Sequence, residues 1–500
     1  MFSHLLAAVA LSSVVIANQF GSWQNLEVRR FIFPRDSTVE IATNIKAKNT
    51  GTSPSSSIFV GIDGSFADKI GQIVATIGEA PLSLTSVPGP DNSKLWQVRL
   101  NQPVSPSETV SFDLTMTLGH VYKPVVAKSL QMEKNEILIE APMYLYSPYT
   151  TKESATSFRF VPTLQTVSVI APAESKPTGS EVTWASKPLK SYEADKMIIR
   201  TPFAGPIPVI STARRVIEVS QWGNVAVVEE YRLLNEAAAL EGEFSRIPFA
   251  FEKNGNGNPL LKVDGYLPSL TGILPRYARN LQYFDVIGNV SSSHAHRAGK
   301  QYVMVSLEPR FPLLGGWKTE FQFQYDMPLK YLVKDESASE SMEIQLPLNH
   351  PFNGVYTDAF EIELLLPEGS TDIVIDAPRE ISQIEYGKKR SWLDTPIVGG
   401  HVVAKFQVAG GFTLAQKDAL NHKFTVNYKL STFWKYRPAL LLAFYFLVLL
   451  LTVATFSSQS TPVSEPNSPI PNSEQSYTVV DENKQEKKNV SPDAKKKKQQ

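Results

Sequence analysis

The chain of 500 residues has no cysteine, no net charge and almost no long apolar run. Without cysteine there are no disulfides, no thiolate zinc sites and no thiol nucleophiles. An oxidising compartment stays open, because domains of this size can be stabilised by burial alone. Lys+Arg and Asp+Glu each number 49, so no overall field draws the chain towards nucleic acid. Catalytic signatures are also missing: there is no H-E-x-x-H, no G-x-S-x-G, no Walker loop, no dinucleotide fingerprint and no Asp-x-Asp. No catalytic residue, no metal and no cofactor is therefore expected.

Two apolar runs are present, and they decide the class. Leu5 to Ile16 is an apolar run of twelve, and Val15-Ile16-Ala17 carries the small or branched residues that a signal peptidase reads. This predicts a signal peptide over 1–17, against the competing reading of a buried N-terminal strand. Pro438 to Phe456 holds nineteen residues without a charge, rich in Leu, Phe and Val. At about 1.5 Å per residue, a helix of that length nearly spans a hydrocarbon core of about 30 Å. Trp434, Tyr436 and Tyr445 suit the interfacial belt, and Lys435 and Arg437 mark the water boundary.

Orientation pits two signals against each other. Lys423, Lys429, Lys435 and Arg437 precede the helix, which by the positive-inside rule would put that side in the cytosol. The N-terminal signal points the other way. It commits the long N-terminal stretch to translocation first, and large domains cross largely regardless of charge. The expectation is a single-pass type I membrane protein. Its tail, 457–500, is rich in Pro, Ser, Asn, Gln and Lys without apolar periodicity, and is expected to be disordered. Lys497 and Lys498, fourth and third from the end, resemble the dilysine retrieval signal of endoplasmic reticulum proteins.

Between the two runs the apolar residues alternate with period two. Val39, Ile41 and Ile45 form one such stripe; Phe112, Leu114, Met116 and Leu118 another. Later stripes are Phe321, Phe323 and Tyr325; Phe360, Ile362, Leu364 and Leu366; Val402, Ala404, Phe406 and Val408; and Phe424, Val426, Tyr428 and Leu430. Pro and Gly clusters such as Pro88-Gly89-Pro90 and Gly255 to Pro259 punctuate them. The fold class read from this is mainly β: two lumenal β-sandwich-like domains, one transmembrane helix and a disordered tail. The Pro-rich stretch from Pro202 to Pro208 sets the boundaries at 18–205 and 206–436, with the helix at 437–456.

Few side chains suggest a site. Asn289-Val290-Ser291 is a glycosylation sequon in the translocated part, whereas Asn489-Val490-Ser491 falls in the cytosolic tail and is expected to be silent. His294 and His296 share one side of a strand and could bind a metal, although a polar loop is the simpler setting. Glu229-Glu230 could serve acid–base chemistry, although such pairs commonly mark a solvated strand edge. Trp222, Tyr277, Phe311 and Trp317 flank glycines and arginines, a mixture enriched at protein interfaces and equally compatible with core and turn roles.

Several strings then carry a resemblance. They are Gln221-Trp-Gly-Asn-Val-Ala-Val-Val-Glu-Glu-Tyr, Gly242-Glu-Phe-Ser-Arg, Leu274-Pro-Arg-Tyr-Ala-Arg-Asn-Leu and Asp285-Val-Ile-Gly-Asn-Val-Ser. Glu308-Pro-Arg-Phe-Pro-Leu-Leu-Gly-Gly-Trp-Lys-Thr and Leu366-Pro-Glu-Gly follow. In that order they resemble the ribophorin I family, large single-pass subunits of the oligosaccharyltransferase complex. The first half is similar more loosely, through its layout of signal and strands and through Tyr144 to Tyr149.

The resemblance implies two lumenal β-rich domains and a noncatalytic role in N-linked glycosylation, stabilising the complex and helping to present nascent polypeptides. Catalysis in the family belongs to a separate polytopic subunit with a Trp-Trp-Asp-Tyr-Gly motif, which uses a divalent metal and a dolichol-linked donor. That motif is absent here. The implied partners are the other oligosaccharyltransferase subunits, that polytopic subunit included, and the membrane. Animal members carry a longer helical cytosolic region associated with ribosome contact, so the short tail resembles the fungal type. The competing readings are a cargo or adhesion-type receptor and a lumenal β-sandwich hydrolase.

Overall fold

The computed structural model describes residues 20, 22–160, 168–178, 181–253, 263, 265–299, 301–335, 341–378, 381–390, 399–412 and 422–458. The segment 1–17, the cluster Gly255 to Pro259, and Lys497 and Lys498 lie outside them. As the alternation predicts, the described residues are mainly β. The stripe Phe112, Leu114, Met116 and Leu118 forms the buried face of the strand Thr109–Leu118. Phe360, Ile362, Leu364 and Leu366 do the same in Tyr356–Leu366. Burying a side chain of this size contributes about 1.5–3 kcal/mol, which makes each register specific.

Residues up to Arg437 form one compact unit and those from Pro438 a second. Within the first, buried apolar side chains gather into two clusters, one from Phe20 to Ile207 and one from Ile210 to Leu430. The two stretches share a strand plan. Each opens with a hairpin, Trp23–Pro34 with Val39–Asn49 and Pro208–Val219 with Asn224–Asn235. The first strand of each hairpin pairs parallel with a late strand, Thr151–Arg159 or Tyr356–Leu366. The second pairs antiparallel with Thr109–Leu118 or Lys318–Pro328.

The correspondence extends across the sheets. On one side, Ile70–Ile77 and Arg279–Asp285 occupy equivalent places; on the other, Glu181–Trp184 and His401–Phe412 do. The smaller sheets follow suit. The order Ser168–Ala171, Lys196–Pro202, Glu136–Pro142, Tyr122–Pro124 matches Thr371–Asp376, Lys423–Lys429, Ser341–Pro347, Val333–Asp335. Even an isolated bridge recurs, Gly61 with Tyr146 and Gly272 with Phe352. A Cβ on Gly61 would press on the Lys94 carbonyl oxygen, and one on Gly272 on that of Pro351, so close backbone approach demands glycine at both.

Several contacts join the two stretches. Lys128–Ser129 pairs parallel with Ala239–Leu240, and the Ser37 hydroxyl donates to the Gly354 carbonyl at 2.7 Å. His120 lies between two carboxylates, with Nδ1 at 3.0 Å from Glu236 and Nε2 at 2.5 Å from Asp358. The hydrogen bond to Asp358, and then that to Glu236, push its pKa up to about 10, so the imidazolium is the stable form at neutral pH.

The last described element is the helix Thr432–Ser458, which begins before the predicted apolar run. Among the described residues it is the one helix long and apolar enough to cross a membrane. Its first turns are tied down. Arg437 pairs with Glu368 at 2.8 Å and lies over the Trp434 ring at 4.3 Å, while Gly369, at φ +83°, leaves room for that ring. Leu366-Pro-Glu-Gly therefore serves as the seat of the helix start.

Candidate interaction surface

Of the four aromatic residues read as interface candidates, the structure pairs two, Phe311 and Trp317. Trp222 sits at the tip of the turn joining Pro208–Val219 to Asn224–Asn235, where Gly223 takes φ +88°. The Trp222 N–H donates to the Ser220 hydroxyl at 3.2 Å, and its side chain is left 70% exposed. Tyr277 stacks on Tyr331 at 5.2 Å and packs against the second cluster, and burial pushes its hydroxyl pKa up. It is a supporting residue more than an exposed one.

Phe311 and Trp317 are brought together, edge to face at 6.0 Å. Their loop is stitched down by its backbone. Gly316 N–H donates to the Asn235 carbonyl at 2.8 Å, and Leu240 N–H to that of Gly315 at 3.2 Å. A Cβ at Gly315 would overlap the Ala238 carbonyl, and Gly316 takes φ +75°, so this bend needs both glycines. Trp317 is half-buried against the second cluster, whereas Phe311 is 39% exposed.

Three aromatics not singled out from the sequence complete the group. Phe244 meets Trp317 at 5.8 Å and Phe249 at 6.0 Å, and Phe249 meets Tyr266 at 5.4 Å. Phe244 belongs to Gly242-Glu-Phe-Ser-Arg, one of the strings that carried the resemblance, so part of the signal was present. Two adjoining grooves of about 540 and 270 Å³ run beside these rings and share Phe249, Arg310, Phe311 and Pro312.

Asn289 is exposed, at the end of a tight hairpin following Arg279–Asp285. Asp285 clamps this hairpin by accepting the N–H groups of Ile287 and Gly288 at 2.9 and 3.0 Å. Arg310 binds the same carboxylate through Nε at 2.5 Å and Nη2 at 2.9 Å, and Nη2 also donates to the Asn289 carbonyl at 3.3 Å. The Arg310 hydrogen bond is the main cause that holds the Asp285 carboxyl below the usual carboxylate range. Val286 and Ile287 at the tip are 86% and 79% exposed.

The remaining candidates fare differently. His294 and His296 are both exposed on the strand His294–Ala298, and among the described residues no three His, Asp or Glu side chains are placed to hold a metal. Glu229 is no solvated edge. It is fully buried, accepting from Arg215 Nε at 2.8 Å and from the hydroxyls of Tyr325, at 3.0 Å, and Tyr231. Arg215 spends its other donors on the carbonyls of Pro347, Leu348 and Asn349, at 2.8, 3.2 and 2.8 Å. Burial and the Glu229 charge push both tyrosine hydroxyls well above their ordinary pKa. This carboxylate has its donors in place and no solvent access, so it serves the fold and not acid–base chemistry. Glu230 points the other way, to Arg214 at 3.2 Å.

What the fold defines, then, is a mainly β protein with a twice-used strand plan, followed by an apolar helix of membrane-spanning length, with a pair of aromatic grooves and a clamped sequon. A family model described as Ribophorin I matches residues 23–457, and the chain belongs to that family. It is 27% identical over 394 residues to subunit 1 of a dolichyl-diphosphooligosaccharide–protein glycosyltransferase from Caenorhabditis elegans, covering 78% of this chain and 66% of that protein. Two Arabidopsis thaliana relatives carry the same name as subunits 1A and 1B. The first is 30% identical over 296 residues, 59% of this chain and 46% of its own length; the second is 27% identical over 460, 88% and 94%. The chain thus spans just under two thirds of the worm protein and less than half of subunit 1A. A solved yeast LTA4 hydrolase matches 39% of this chain and 31% of its own at 6% identity and a TM-score of 0.25, too remote to carry an argument.

Proposed function

We propose that this chain is a noncatalytic subunit of an endoplasmic reticulum oligosaccharyltransferase complex. It supports N-linked glycosylation by stabilising the complex and helping to present nascent polypeptides. The observation that carries this is the family match over residues 23–457, with relatives named as subunit 1 of the glycosyltransferase. The transfer itself belongs to another, polytopic subunit, which this chain contacts within the membrane or at its lumenal surface.

The reading places residues 18–436 in the lumen as two domains, 18–205 and 206–436, held by a single type I helix. The recurring strand order and the parting of the two apolar clusters between Ile207 and Ile210 support this division. Trp222 and Phe311 serve as subunit contacts because large exposed aromatics are costly to leave in water. Trp317 backs Phe311 edge to face, and Tyr277 stacks on Tyr331. Lys497 and Lys498 return the protein to the endoplasmic reticulum, and Asn289 carries a glycan.

Copurification tests the central claim. Digitonin-solubilised complex isolated through this chain should contain the polytopic transferase, and isolation without it would end the proposal. Protease added to sealed microsomes should leave residues 18–436 intact and remove only the tail. Digestion of the bulk of the chain would overturn the topology.

A further inference from the structure

The large sheet of the second half gathers its exposed Trp and Tyr side chains towards one end. Among the described residues up to Arg437, those side chains are Trp222, Tyr331, Tyr386 and Tyr436, all in the second half. The strand register shows where three of them lie. Pro208–Val219 and Tyr356–Leu366 run parallel, with Glu218 beside Leu365. The turn carrying Trp222 and the helix seat, Leu366-Pro-Glu-Gly, therefore leave the sheet side by side, on strands about 4.8 Å apart. Leu329 N–H donates to the Gly223 carbonyl at 2.9 Å, which ties the turn Leu329–Tyr331 to the same end. Tyr436 belongs to the seated first turns of the helix. We propose that this end of the sheet rests in the headgroup layer of the bilayer, with Lys330 and Tyr331 touching phospholipid. The inference rests on the membrane span argued above, whichever side of it the sheet occupies.

The chemistry is that of a membrane interface. Trp and Tyr rings have an apolar body and a polar edge, so they settle where hydrocarbon gives way to headgroups, while Lys and Arg reach the phosphates. Lys330 holds its ammonium 5.0 Å over the Tyr331 ring. Tyr331 stacks on Tyr277, whose chain neighbour Arg276 is exposed. Arg279 donates to the Asn224 side chain at 3.2 Å, beside the Trp222 turn. The neighbouring Asp326 carboxylate accepts from Asn280 at 2.7 Å. The opposite end of the sheet, where Asp285 pairs with Phe321, exposes Val286, Ile287 and Phe311 instead. Those side chains have no polar edge. A sheet with water at both ends has no reason to sort its side chains this way.

Position supplies the second argument. Arg437 is the last charge before the uncharged run that begins at Pro438, so it marks where the chain meets the bilayer. Its pairing with Glu368 at 2.8 Å, and the fit of the Trp434 ring against Gly369, fix that point to the sheet end. The exposed rings and the point of membrane entry are thus held by neighbouring strands of one sheet, and little further ordering opposes lipid contact. Trp222 borders the same end. The subunit contact given to it above is therefore made at headgroup level, by a membrane-embedded partner.

The test uses the lack of cysteine, because one introduced thiol then takes one label. Lys330→Cys, Tyr331→Cys, Ile287→Cys at the opposite end and Leu447→Cys within the helix each carry an environment-sensitive fluorophore on the full chain in phosphatidylcholine nanodiscs. With a nitroxide on the lipid headgroup, emission from positions 330 and 331 should fall about threefold or more, and that from position 287 should stay unchanged. A nitroxide deep on the acyl chain should quench position 447. Lys330→Cys leaves the stacked Tyr277 and Tyr331 rings in place, so the result does not depend on that stack. Quenching at 447 without quenching at 330 and 331 would overturn the lipid contact and leave the span standing. Equal quenching at 287 and 331 would overturn it too, because contact would not be confined to one end. Lack of quenching at 447 would instead sink the span itself.

Discussion

The two halves of the molecule place an arginine at the same point of the same hairpin and treat it in opposite ways. Arg30 and Arg215 each lie four residues before the end of the first strand, and each is almost wholly buried. Across the hairpin, Arg215 faces Glu229, while Arg30 faces Thr43. Arg215 is held charged against burial by Glu229, with three carbonyls and the Phe360 ring, at 4.9 Å, completing its shell. Among the described residues Arg30 makes no ion pair, and its Nε has no hydrogen-bond partner; burial pulls its pKa down to about 9, with the charge of Asp63 offsetting a part. One strand plan thus accommodates a saturated buried ion pair and an under-satisfied buried cation. The plan is held by apolar burial and ladder pairing, and the charge is a local addition to it.

The sharpest way to break that comparison is to remove each cation. Arg215→Met leaves Glu229 buried and unpaired, and should cost about 3–5 kcal/mol, read as a fall in the unfolding midpoint. Arg30→Met should change stability by about 1 kcal/mol or less, or raise it, because it removes a buried charge that lacks a partner. Equal losses would show that the two arginines do the same job. The double variant Arg215→Met, Glu229→Leu should recover most of the single-variant loss.

Next in size is the shared glycine bridge. Gly61→Ala and Gly272→Ala should each destabilise by about 1–3 kcal/mol, since the added methyl presses on a carbonyl in both halves. A loss in only one would mean that the two bridges are not equivalent.

The joint between the halves predicts a pH dependence. The pKa of His120 rises from 6.5 in the unfolded chain to about 10 in the fold. Its contribution is therefore complete below about pH 6.5 and lost as pH rises through about 10. Thermal unfolding midpoints should decline across that window, and His120→Gln should flatten the decline. An unchanged slope in the variant would mean that the staple contributes little.

The smallest stability effect should come from Trp222→Ala, within about 0.5 kcal/mol of wild type because the side chain is exposed. The same variant should lower recovery of partner subunits on copurification. Full recovery would confine subunit contact to other surfaces.

Much of the architecture was legible locally. Period-two stripes such as Phe424, Val426 and Tyr428 become buried strand faces, and the uncharged run from Pro438 becomes a helix of membrane-spanning length. Both are properties of consecutive side chains, which need only a water-facing and an apolar side to be read. The surface was less legible. Phe311 and Trp317 stood out as a pair, but Phe244, Phe249 and Tyr266 join them only through the folding of a loop. Glu229 read as a solvated pair with Glu230, because nothing in two adjacent carboxylates announces that one of them will face an arginine inside the sheet.

By itself, the order of residues determined the β class, the apolar helix, the sequon and the lack of any thiol chemistry, since each depends on residue type and short spacing. Only the tertiary structure decided that the strand order is used twice, that Arg215 is paired and Arg30 is not, and that Phe244, Phe249 and Tyr266 gather beside Phe311 and Trp317. Those outcomes depend on contacts between residues far apart in the chain, such as Arg215 with the carbonyls of Pro347 to Asn349. Long-range pairing is chosen by the free energy of the whole sheet, which no short window of sequence contains.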